Sequence, residues 1–140
     1  QVGLIMQGHG IPVGKVIREP VSALDIAATI YDHAGVDVPG ALQSNSLRRL
    51  MENDVVTRDV AYCEWTLSKI RYGVELELRT VRTKTHKLTL EETSGVGEMY
   101  VLANDPVEMG NVFDDPVHAK QRKELEEIIR ARLGKVVVML

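Results

Sequence analysis

The chain is expected to adopt an α+β fold: a small four-stranded antiparallel sheet packed by a carboxy-terminal helix, preceded by a strand, a glycine-rich turn and a helix. Three observations predict this. The apolar period changes near Arg58 from helical to alternating, four short runs rich in β-branched and aromatic residues follow at hairpin spacing, and a stripe of helical period closes the chain beyond Pro116.

The first element is "VGLIM", Val2 to Met6, an apolar run that reads as a buried strand already under way. Gln1 is not an initiator methionine and no charged-then-apolar leader precedes the run, so a piece of a longer protein is expected. "QGHGIPVGK" then sets three glycines and Pro12 into nine residues, which imposes tight turns. Ser22 precedes a helical stripe of Ala23, Leu24, Ala27, Ile30, Tyr31 and Ala34; Asp25 stands three residues after that cap and Gly35 just past the end. Ser46 caps a short helix bearing Leu47, Leu50 and Met51.

Strands are expected in "RDVAYCEW", "VELELRTVRT", "HKLTLEE" and "EMYVLA". Thr83 to Thr85 make the turn between the second and third, and Ser94 to Gly97 the turn before the fourth. The closing helix carries Leu125, Ile128, Ile129 and Leu133 on one face and the Glu126/Arg130 pair on its surface, and Gly134 stops it. "KVVVML" at the end has the composition of an added strand, and equally of a frayed tail or a cloning remnant.

Bulk properties exclude several functions. At 140 residues the chain can bury roughly two thirds of its unfolded surface, and hydrophobic and charged fractions of 44% and 26% are ordinary for a globular domain. No run is long and apolar enough to span a membrane. A net charge of −3 and a pI near 5.8 supply no cationic field for nucleic acid.

Candidate chemistry is sparse. "GHGIPVGK" is not a phosphate loop, because neither Gly8 nor Gly10 has four residues between it and Gly14, and Val16 stands where a metal-binding hydroxyl belongs. His9, His33, His86 and His118 are solitary, and Asp114 and Asp115 before Pro116 read as a helix cap rather than metal ligands. Cys63, the single cysteine, reads as a buried structural thiol in an apolar strand, and Trp65 as an aromatic packed on the sheet. Arg79, Arg82, Lys84, His86 and Lys87 form the basic cluster. A solvated face explains it, while Arg82, Lys84 and His86 are also candidates for the rim of a cleft that takes an anionic group. A hairpin between Arg82 and His86 breaks the alternation that would otherwise put them on one side.

Three stretches resemble the C-terminal third of the sulfatase family, within the alkaline phosphatase-like superfamily. "VGLIMQGHGIPVGKVIREPVSALDIAATIYDHAGVDVP" matches through Val21, Ser22, Leu24, Asp25, Thr29, Ala34, Gly35 and Pro39; Ala28 replaces a frequent proline, and His9 stands within the glycine turn. "TVRTKTHKL" is similar to the family's strand pair, with His86 where an aromatic is usual. "MYVLANDPVEMGNVFDDP" matches through Tyr100, Leu102, Asp105, Pro106, Glu108 and Asn111, with Val101 for the usual aspartate.

The resemblance implies that residues 1–42 finish an α/β catalytic domain, contributing its last strand and helix, and that 43–140 form the antiparallel-sheet subdomain. It also implies sulfate-ester hydrolysis by a longer parent, in which a formylglycine made from Cys or Ser attacks sulfur and a divalent metal, usually calcium, polarises the oxygens. Cys63 is followed by Glu64, Trp65, Thr66 and Leu67, which is not the nucleophile motif, so no catalytic residue, metal ligand or cofactor site is expected in these residues. The expected partner is the rest of the parent domain, and apolar surface severed from it would favour self-association. Two alternatives differ from this reading: the same subdomain from a phosphodiesterase or phosphonate monoester hydrolase, and a free-standing interaction module that pairs through a strand edge.

Overall fold

The computed structural model describes residues 3–40 and 42–133. Two compact units divide in sequence after Asp59: Gln1–Asp59 and Val60–Leu140.

In the first unit Gly3–Met6 forms no ladder, and Ile5 is 95% exposed. The strand expected over Val2–Met6 is therefore not formed across its described residues. A strand is held by backbone groups of a neighbour, and no described residue of this unit lies in a sheet. Met6 instead packs with Ile11, Ile17 and Val21 against Leu47, Leu50 and Met51.

α1, Leu24–His33, begins as expected: Ser22 Oγ accepts from Leu24 N, and the Asp25 carboxylate accepts from Ser22 N at 2.8 Å, a reciprocal cap. At its other end Gly35 takes φ of 69°, with Gly35 N donating to Asp32 O and Val36 N to Tyr31 O. That is the Schellman stop, which glycine enters without a Cβ penalty. The faces are inverted relative to a simple amphipathic helix. Asp25, Ala28 and Thr29 are fully buried, whereas Leu24 and Ile30 are 52% and 61% exposed.

Hydrogen bonds account for the buried polar side. Asp25 accepts from Ser22 N, Asn45 N and the Arg58 guanidinium. Thr29 Oγ1 donates to Asp25 O and accepts from Leu47 N at 2.9 Å. Asp32 takes the Ser46 hydroxyl, which holds its carboxyl below the usual range. α2, Arg48–Asn53, is thereby tied to α1, with Ser46 Oγ accepting from Arg48 N. Lys15 donates to Met51 O and pairs with Asp54 at 2.9 Å, so the lysine of the glycine turn serves the end of α2.

The second unit is a meander of β1 (Ala61–Leu67), β2 (Leu76–Arg82), β3 (His86–Glu91) and β4 (Gly97–Val101), all antiparallel in spatial order β1-β2-β3-β4. A single turn of helix, α3 (Lys69–Tyr72), joins β1 to β2 and ends on left-handed Gly73. At the Thr83–Thr85 hairpin Thr83 Oγ1 accepts from His86 N at 2.9 Å. At the next hairpin Glu91 takes both the N–H and the hydroxyl of Ser94 at 2.6 Å, and these bonds lower its pKa from 4.5 to about 2.

Because that folded pKa is depressed, the stabilisation from Glu91 is present above the ordinary value and is lost as pH falls from about 4.5 toward 2. A carboxyl-carbon NMR titration should place the Glu91 midpoint near 2, and Ser94→Ala should move it upward. A midpoint at the ordinary value in the parent chain would contradict this.

After β4 the chain turns a corner and enters a 3₁₀ turn at Pro116–His118, then α4, Ala119–Leu133. Asp115 caps the turn by accepting from Val117 N at 2.9 Å. Leu125 and Ile129 of α4 close on Val81, Leu88 and Met99, each buried side chain contributing about 1.5–3 kcal/mol of transfer free energy. The stop expected at Gly134 and the strand expected in residues 135–140 lie outside the described residues.

Candidate functional site

α4 covers one face of the sheet only. Register decides which residues it covers: Tyr62 pairs with Val81, Val81 with Leu88 and Leu88 with Met99, all on the α4 side. Cys63 and Trp65 alternate to the other face. Cys63 is exposed and Trp65 is 60% exposed, so neither is the packed residue that their apolar run suggested. With one face uncovered, half of a strand's positions face solvent, and an apolar run without alternation cannot assign which half.

The same parity separates the candidate rim residues. Arg82 pairs with Lys87, which puts both on the uncovered face, and His86, one residue earlier, projects toward α4. Lys84 is exposed at the hairpin tip. His86 Nδ1 lies 2.8 Å from Thr85 Oγ1, and burial pushes its pKa down, assisted by His118 and opposed by Glu124. The three candidates thus share one end of the sheet but not one surface.

Glu108 completes a charged group on the uncovered face. Its Oε1 accepts from Arg82 at 3.3 Å and its Oε2 from Lys87, whose ammonium also lies 5.7 Å from the Tyr100 ring centroid. Glu108 adopts a φ of 60°, a left-handed conformation that a non-glycine residue holds only when its surroundings fix it. The motif around "DPVEMGN" was the available signal for Glu108, and basic clustering for Lys87. Their meeting across 21 residues had none.

The rest of the corner is held by side-chain acceptors. Asp105 accepts from Gly110 N at 2.8 Å, which lowers its pKa. Asn111 Oδ1 accepts from both Met99 N and Phe113 N, while Val112 N donates to Met99 O. Asn111 therefore substitutes for a fifth strand along the edge of β4. Asn111→Ala should leave the Met99 N–H without its acceptor and cost about 1–2 kcal/mol, seen as an earlier denaturation midpoint. A midpoint equal to that of the parent would refute the role.

Among the described residues no group of three or more His, Cys, Asp or Glu side chains could hold a metal ion. Arg82 and Lys87 are already engaged with Glu108, and Cys63 is exposed on the uncovered face of the sheet. These described residues do not fit a metal site. Likewise no helix among the described residues is long and apolar enough to cross a membrane.

Residues 2–134 match the family described as N-sulphoglucosamine sulphohydrolase, C-terminal. The chain is 33% identical over 131 residues to an N-acetylglucosamine-6-O-sulfatase of Bacteroides thetaiotaomicron, covering 90% of this chain and 23% of that protein. A solved structure holding D-glucosamine-2-N,6-O-disulfate as its substrate is similar at 31% identity and a TM-score of 0.66, over 79% of this chain and 23% of the other. A phosphonate monoester hydrolase from Silicibacter pomeroyi shares the fold at 21% identity and a TM-score of 0.75, over 93% and 28% of the two chains. The chain thus spans about a quarter of the length of these relatives.

Proposed function

The chain belongs to the family of N-sulphoglucosamine sulphohydrolase C-terminal domains, and from that premise we propose that it is the closing part of a sulfuric ester hydrolase acting on a sulfated amino sugar. On this reading it braces and walls the cleft of a catalytic domain that supplies the nucleophile and the divalent metal. Residues 1–42 would finish that domain and 43–140 would form the wall.

The observation that carries the reading is the inverted face of α1. Its polar side is satisfied within its own unit, so Leu24, Ile30 and Tyr31 remain outward, as a helix designed to pack on a further layer requires. Incubation of the isolated chain with 6-O-sulfated N-acetylglucosamine should release no sulfate above buffer. Ile30→Glu should leave the isolated chain within about 0.5 kcal/mol of its parent, as surface substitutions do, and inactivate the full-length enzyme. Sulfate release by the chain alone, or an active full-length Ile30→Glu enzyme, would overturn the proposal.

Arg82, Lys84 and His86 are proposed as rim contacts for the anionic part of the substrate, supported by their grouping at one end of the sheet. In the full-length enzyme Lys84→Gln should raise KM about 2- to 5-fold with kcat little changed, since an exposed charge contact is worth about 0.2–1 kcal/mol. His86→Gln should act in the same direction. Arg82→Gln also releases Glu108, so its KM is compared with that of Glu108→Gln. Unchanged KM in the Lys84 and His86 variants would remove both from the rim.

A further inference from the structure

We propose that the outer edge of β1 pairs with β1 of a second copy of this chain, antiparallel about a two-fold axis that passes Cys63. The sheet order leaves β1 and β4 as its edges. β4 is covered by Asn111 and Val112. Among the described residues of the second unit nothing comparable bonds along the outside of β1, whose middle residues Cys63, Glu64, Trp65 and Thr66 are all exposed. An uncovered seven-residue edge is a template for another strand.

The direction of its free groups follows from the ladder. Glu92 N donates to Glu77 O at 2.9 Å, so the backbone of Glu77 faces β3. Alternation then turns Leu76, Leu78 and Thr80 toward β1 and, through their partners, Leu67, Trp65 and Cys63 toward β2. Tyr62, Glu64 and Thr66 are left with N–H and C=O directed outward. They are the residues that a second strand would bond.

Self-pairing centred on Cys63 satisfies them and is complementary in side chains. Tyr62 of each copy stands opposite Glu64 of the other, Ala61 opposite the large exposed Trp65, and Val60 opposite Thr66. Arg132 lies 3.8 Å from Glu64 and 4.5 Å from the Tyr62 ring centroid, so a cation flanks each of these pairs. A register centred on Glu64 would oppose two carboxylates, which is destabilising. One centred on Trp65 would crowd two indoles and shorten the ladder. Charge and volume thus favour the Cys63 register over these two.

In that register the two Cys63 residues form a non-hydrogen-bonded pair with Cα atoms about 4.5 Å apart, inside the range a disulfide bridges. The thiol reports the pairing and does not cause it. Copper–phenanthroline, as the oxidant, removes two electrons and two protons from the two thiols to join the sulfurs.

Sedimentation over a concentration series should show a mass rising from 15.6 kDa toward twice that value, and oxidation should give a cross-linked dimer. Cys63→Ser should keep the dimer and lose the cross-link. Glu64→Pro removes an outward N–H without touching the β1–β2 ladder and should lose both. Ala61→Cys in a Cys63→Ser background should not cross-link, because its two copies lie four residues out of register, about 13 Å along the strand. That arm does not depend on the proline variant folding. A chain monomeric at every concentration, a cross-link surviving Glu64→Pro in a folded protein, or one at position 61 as rapid as at Cys63 would overturn the pairing. None of these results bears on the hydrolase reading, which rests on α1.

Discussion

Arg58→Met is expected to destabilise the first unit by about 3–5 kcal/mol, the cost of leaving a buried carboxylate without its counter-charge. Asp25 is 0% exposed, and its oxygens receive the Arg58 guanidinium together with the N–H groups of Ser22 and Asn45. Removing the guanidinium leaves both backbone donors, which do not neutralise the charge. The loss should be nearly independent of salt, because so deep a pair is poorly screened. In a cycle with Asp25→Asn, the double variant should lose much less than the sum of the two single changes, since the amide carries no charge to strand. Denaturant unfolding measures all three. A loss under about 1 kcal/mol for Arg58→Met would mean that water reaches Asp25, and the hub would not organise α1 and the segment before α2.

Gly97→Ala should be comparably damaging in the second unit, at about 3 kcal/mol or more, the upper end of overpacking costs. A Cβ at Gly97 would stand 2.5 Å from the Phe113 ring, 2.7 Å from Thr89 O and 2.9 Å from Leu90 Cδ2. The Phe113 and Leu90 side chains can swing aside. Thr89 O is backbone of the paired strand and moves only if β3 and β4 separate. For a unit of this size the melting temperature should fall by on the order of 10–20 °C. Phe113→Ala in the same chain should restore only part of the loss, because the backbone contact remains. Full rescue by Phe113→Ala would place the whole conflict in the ring.

The two predictions sit on features of very different legibility. Gly97 was visible as a turn residue, but its need to be glycine comes from Thr89 O on the paired strand and from Phe113, sixteen residues on, folding back over it. The Asp25–Arg58 pair spans 33 residues and carries no pattern in the chain. Local chemistry did identify the caps at Ser22, Ser46 and Asp115, because a cap is made by residues within three or four positions of each other. The candidate rim was legible as composition only. Counting through the hairpin predicted that Arg82 and His86 would part, and their pairing shows that they do.

Sequence by itself determined the four strands of the sheet, α1, α2, α4 and the two hairpin turns, and to which family the motifs point. These follow from backbone propensity, capping and alternation over a few residues. It missed α3, and it read a strand at Val2–Met6 where the described residues form none. Tertiary structure alone decided which side of each element is buried: α1 turned its polar residues inward, and α4 covered the Tyr62 side of the sheet while Cys63 and Trp65 stayed in solvent. Alternation divides a strand or helix into two sides without naming either as the interior. That choice is made by the layer which arrives to cover one of them.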